Sequence, residues 1–111
     1  MRYGLKEEQM ENINSIFSKY TQIEKAVLYG SRAKGNYKKG SDVDVTLFGD
    51  GLSLTVLNKI CLDIDDLLLP YTFDISIYKQ INNPDLRDHI KRVGVVFFDK
   101  KQSHEAGGAA G

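Results

Sequence analysis

The 111-residue chain contains a single cysteine, Cys61, so no intramolecular disulfide can form. One cysteine fits a reducing compartment. No stretch approaches the ~20 continuous apolar residues that a membrane helix needs. The opening Met1-Arg2-Tyr3-Gly4-Leu5-Lys6-Glu7-Glu8 lacks the apolar run of a secretory signal, and the expected location is cytoplasmic. Neither sign of charge is in excess: 15 Lys and Arg balance 15 Asp and Glu. A zero sum gives no global attraction to nucleic acid or an anionic membrane. Neither is expected as a main partner, and any such binding has to come from a local patch. There is also no internal repeat.

What is present is ordinary globular material, 41% hydrophobic and 27% charged. The length suits one domain, read here as residues 1–100. Residues 101–111 end in Gly and Ala and read as a flexible tail. Ile13, Ile16, Phe17 and Tyr20, with Leu5 and Met10 before them, have helical spacing over 5–20. Residues 21–29 read as a strand ending in Ala26-Val27-Leu28-Tyr29. A helical turn and a basic loop follow. Residues 41–48 form the second strand. Ser53 caps a helix that carries Leu54, Leu57, Ile60, Ile64 and Leu67 and that Pro70 ends. Residues 72–78 form the third strand. Asn83-Pro84 opens the last helix and Gly94 stops it. Val95-Val96-Phe97-Phe98 is the fourth strand. The predicted order is α-β-(short α)-β-α-β-α-β.

Asp42 and Asp44 lie two apart on the second predicted strand, so they project to one face, within ~7 Å along the chain. Val43, Val45 and Leu47 take the other face. The third strand has the same parity, with Phe73, Ile75 and Ile77 opposite Asp74, Ser76 and Tyr78. Asp74 then shares a side with Asp42 and Asp44, and strand order decides whether it sits beside them. Clustered carboxylates repel and need a compensating charge. Mg²⁺ supplies one, taking carboxylates together with substrate phosphates. The plainer reading is that of solvent-facing strand residues, although Asp is depleted in strands.

Gly30-Ser31 falls where a strand gives way to a helical turn. Glycine admits close backbone approach, and the following amides form an anion site. An ordinary turn capped by Ser31 is the alternative. Arg32, Lys34, Lys38 and Lys39 follow with no acidic residue between Gly30 and Ser41. They suit a triphosphate tail or an acceptor, or else form a solvated loop. Tyr37 within them can stack on a base or an acceptor, or be a plain loop residue. By composition alone, Gly-Ser, ten residues and then Asp-x-Asp occur together in roughly one chain in a thousand of this length.

The stretch GSRAKGNYKKGSDVDV, with Asp74 in FDISIY, resembles the DNA polymerase β-like nucleotidyltransferase superfamily, and within it the minimal nucleotidyltransferase (MNT) domains. The resemblance reaches to about Phe98. It implies an α/β (α+β) fold, a mixed sheet of about four strands with helices packed on one face. It implies that Asp42 and Asp44 bind two Mg²⁺ ions and that Asp74 binds one and is at or near the general base. Gly30 and Ser31 then hold the β- and γ-phosphates of ATP. Arg32, Lys34 and Ser41 are grouped with them as nucleotide-binding positions. Small members resemble antitoxins that add AMP to a tyrosine of a HEPN-domain toxin. A non-catalytic antitoxin, and a small-molecule transferase completed by a partner subunit, are the other readings. Cys61 falls on an apolar helical stripe and is read as core. His89 has no second ligand at metal spacing. Asp63, Asp65 and Asp66 read as a solvated helix face.

Overall fold

In a computed structural model the described residues are 2–101. Of the expected tail, 101–111, all but Lys101 lies outside them. Helix α1 spans Glu7–Lys19 and strand β1 spans Lys25–Tyr29. A five-residue helix, α2, spans Gly30–Lys34, and β2 spans Val43–Phe48. Helix α3 spans Leu54–Asp65 and β3 spans Phe73–Ile77, which runs into a 3₁₀ turn at Tyr78–Gln80. Helix α4 spans Pro84–Val93 and β4 spans Val95–Asp99. The predicted order of elements is the observed one.

Their ends follow local chemistry. The Ser53 hydroxyl accepts the Val56 amide at 3.3 Å and starts α3. Asn83 Oδ1 accepts the amides of Asp85 and Leu86 at 2.9 and 3.3 Å, and Pro84 follows as the first helical residue, where its missing N–H costs nothing. Several boundaries differ from expectation. Strand β1 starts at Lys25 because Thr21 and Gln22 turn the chain, with the Ile23 amide bonded to Tyr20 O. Helix α3 stops at Asp65, well before Pro70; the amides of Leu67 and Leu68 close its last turn and Leu68 then takes φ +54°. Strand β2 starts at Val43, which leaves Asp42 just ahead of it.

The sheet order is β3-β2-β1-β4. Strand β1 pairs antiparallel with β2 and β4, while β2 and β3 are parallel. Parallel pairing needs a crossover, and α3 provides it. One face of the sheet carries Ala26, Leu28, Val43, Val45 and Leu47 against Met10, Ile13, Ile16 and Phe17 of α1 and Ile60 and Ile64 of α3. The Tyr20 hydroxyl donates to Asp63, tying the end of α1 to α3, so Asp63 is not merely a solvated residue. Cys61 is half-buried on α3, consistent with a packing role.

Helices on one face alone is too simple a description. Ile90 of α4 packs with Val27, Tyr29 and Tyr78 on the opposite side. Alternation along β1 decides this: Ala26 and Leu28 face α1 and α3, and Val27 and Tyr29 face α4. Among the described residues no helix is long and apolar enough to cross a membrane.

Candidate active site

The face that α4 only partly covers is the one that carries the carboxylates. Strand register places Asp44 between Tyr29 of β1 and Asp74 of β3. Two residues along the same ladder, Ser76 Oγ donates to Thr46 Oγ1 at 3.0 Å, so the polar parity of β2 matches that of β3. Asp44 is half-buried, and Asp42 and Asp74 are exposed. Burial first, then the charges of Asp74 and Asp42, push the Asp44 carboxyl above its ordinary value; His89 and Arg32 partly offset them. Asp44 is thus close enough to feel both of the other aspartates. Among the described residues, no three carboxylate, imidazole or thiol groups are already drawn in to the spacing of a metal cage.

Gly30 follows the last residue of β1 and begins α2 with φ +76°. A Cβ built there would lie 2.3 Å from Asp44 Oδ2. A side chain there would have to displace the Asp44 carboxylate, and the positive φ is itself one that L-residues rarely take, so glycine suits the strand-to-helix turn that lies against it. Ser31 follows at the first turn of α2, half-buried, and Lys34 is exposed at its end.

Arg32 departs from the expected placement. Only 3% exposed, it turns inward. Its Nε and one terminal nitrogen donate to Ser41 O at 3.1 and 2.8 Å, and the other terminal nitrogen donates to Tyr3 O at 2.8 Å. The guanidinium lies over the rings of Tyr37 and Tyr71, 5.2 and 5.1 Å from their centroids. With its donors engaged on backbone, Arg32 braces the residue that precedes Asp42, and a direct nucleotide contact is not what this geometry favours. Ser41 is likewise a turn residue: its hydroxyl accepts the Lys38 amide at 2.9 Å.

Two residues of this face carried no site signal in the sequence. The His89 ring stands edge-on to Tyr29 at 6.3 Å, which brings α4 to the carboxylates. Burial pushes the Tyr29 phenol up, and Asp74 and Asp44 add to the shift. Only strand pairing and the docking of α4 reveal either residue.

Residues 11–103 match the family model described as polymerase beta, nucleotidyltransferase. The chain belongs to that family. A candidate protein adenylyltransferase of Methanocaldococcus jannaschii, MJ0604, is 44% identical over 41 residues, which are 36% of this chain and 41% of the relative. The match therefore spans about two fifths of that relative's length. Among solved structures, a toxin–antitoxin structure with AMP-PNP is similar in fold at TM-score 0.66 and 16% identity, over 92% of this chain and 80% of the other. A tri-AMPylated Shewanella oneidensis HEPN toxin in complex with its MNT antitoxin gives TM-score 0.58 and 16% identity, over 88% and 78%. At such identities the likeness is one of fold, and the fold is that of the nucleotidyltransferases.

Proposed function

We propose that this chain transfers AMP from ATP to a tyrosine hydroxyl of a HEPN-type toxin and so acts as its antitoxin. The observation that carries the transfer chemistry is the seating of Gly30 against Asp44, with Asp74 directly across the ladder and Asp42 adjoining. The protein acceptor is supported by the resemblance to MJ0604 and by the fold shared with an MNT antitoxin bound to an AMPylated toxin.

The donor set fits magnesium: hard oxygen ligands whose mutual repulsion His89 and Arg32 offset only in part. Asp42, Asp44 and Asp74 would hold it, with substrate phosphate oxygens completing the shell as is usual for this ion. Bound there, it neutralises charge on the reacting phosphate. Gly30 and Ser31 offer amides and a hydroxyl to the triphosphate tail. Asp74, exposed on its strand, accepts the proton of the attacking hydroxyl. That oxygen bonds to the α-phosphorus, the bond to the β-phosphate bridging oxygen breaks, and pyrophosphate leaves. Positioning and charge neutralisation supply most of the catalysis.

The test is incubation with α-³²P-ATP and Mg²⁺, with and without the protein encoded by the neighbouring reading frame, for wild type and Asp42→Asn/Asp44→Asn. Label on the neighbour with wild type only is the expected result. A tight complex without label would make the chain a neutralising binder, and label on a small molecule alone would make it a small-molecule transferase.

A further inference from the structure

A groove of about 500 Å³ opens beside the residue that precedes Asp42. Its lining includes Tyr37, Lys38, Lys39, Gly40, Tyr71 and Arg32. That volume is in the usual range for ligand sites. No carboxylate lines it, although the whole chain has as many acids as bases. Neither Gly30 nor Ser31 lines it, so the groove is separate from the turn assigned above to the triphosphate.

The basic residues are held on a closed turn. The Lys38 amide donates to Ser41 Oγ and the Ser41 amide donates to Lys38 O, both at 2.9 Å. Gly40 takes φ +89° to complete it. Arg32 then ties this turn to the body through Ser41 O and lies against Tyr37 and Tyr71. Gly4 packs beneath: a Cβ there would lie 2.8 Å from the Tyr37 ring. The wall is therefore braced from inside, while Tyr37 remains 37% exposed. The ion pairs Arg2–Glu7, Lys79–Asp50 and Arg92–Asp88 use none of Lys34, Lys38 and Lys39.

Two unpaired ammonium groups beside an accessible ring match a phosphate attached to an aromatic base. The other aromatic pair, Phe48 stacked on Tyr78 at 4.4 Å, is already covered by Lys25 and Arg87. Glu24, Asp50 and Asp99 line the groove beside it, so its charge is mixed.

Given the transferase reading, we propose that the Tyr37–Lys38–Lys39 groove binds a nucleoside monophosphate unit on the acceptor side of the reaction, Tyr37 stacking on the base and the lysines holding the phosphate. Only Lys38 and Lys39 are available here, Arg32 being engaged on backbone carbonyls, which suits a single such unit carried by a protein better than the repeated phosphates of an RNA strand.

Binding is tested apart from catalysis, by amide NMR titration of ¹⁵N-labelled protein with AMP in the absence of Mg²⁺. Saturable shifts at Lys38, Lys39 and Gly40 are expected. They should persist in Asp42→Asn/Asp44→Asn, and Lys38→Ala/Lys39→Ala should weaken binding at least about tenfold, with the remaining spectrum unchanged because both lysines are exposed. In the labelling assay AMP should compete with the acceptor and not with ATP. The proposal is overturned by an absence of shifts. It is also overturned by pyrophosphate shifting the same amides as strongly, or by AMP competing with ATP, either of which makes the groove part of the donor site. A short single-stranded RNA binding tenfold more tightly than AMP would replace the protein-borne unit with an RNA acceptor. Failed labelling with AMP binding intact would count against the transferase reading and leave the groove standing.

Discussion

At Gly30 a hydrogen atom stands where any other residue would place a carbon 2.3 Å from Asp44 Oδ2. The backbone is also left-handed there, which costs an L-residue roughly 1–2 kcal/mol. Gly30→Ala should keep its circular dichroism spectrum and lose AMP transfer by about 100-fold, since an ångström of misplacement costs that much. Retained transfer would mean that the turn does not position Asp44. Asp44 itself is a stability liability. Its carboxyl is raised by burial and by Asp74 and Asp42, so the folded chain holds that proton more tightly than the unfolded chain does. The group favours folding at low pH and works against it as pH rises above the ordinary carboxylate value. Asp44→Asn should therefore melt higher than wild type at pH 7 without metal, and the gain should shrink as pH falls through the carboxylate range. Thermal melts across pH 3–7 check the sign. Arg32→Met removes the donors to Ser41 O and Tyr3 O, two part-buried carbonyls whose hydrogen bonds to a charged group are worth ~1.5–3 kcal/mol each. A lower melting temperature and weaker transfer should appear together.

Helix α4 depends on its first turn. Asn83 satisfies two amides, and its replacement by alanine costs about 1 kcal/mol at such a cap. For a domain of this size that is a fall in Tm of roughly 4–8 °C. Because α4 sets His89 against Tyr29, frayed α4 amides in hydrogen exchange should accompany the fall in Asn83→Ala. At the other end, Gly94 lies under backbone: a Cβ would meet Ile90 O at 2.3 Å and Val27 at 2.7 Å. The turn between α4 and β4 therefore has little room to adjust.

For the molecule as a whole, one sheet separates two apolar clusters, a large one beneath α1 and α3 and a small one beneath α4. Leu28 is fully buried on β1, one of the two interior strands, in the large cluster. Leu28→Ala should destabilise by ~2–5 kcal/mol, a large fraction of the stability of a small domain, and denaturant unfolding would show it. An effect below 1 kcal/mol would mean that this core is not what holds the sheet.

The sequence alone determined the element order, because helical and alternating spacings and the Ser53 and Asn83 caps are local signals. It also determined the face shared by Asp44 and Asp74, because parity along a strand is local too. It placed Gly30-Ser31 at a strand-to-helix turn. Only the tertiary structure decided that β3 lies beside β2, that α4 crosses to the carboxylate face, and that His89 and Tyr29 meet there. Only it turned Arg32 inward, since a guanidinium in a basic run reads as solvent-facing until Ser41 O, Tyr3 O and two tyrosine rings are found around it. Contacts such as Arg32 with Tyr3 join residues far apart in the chain, and no periodicity encodes them.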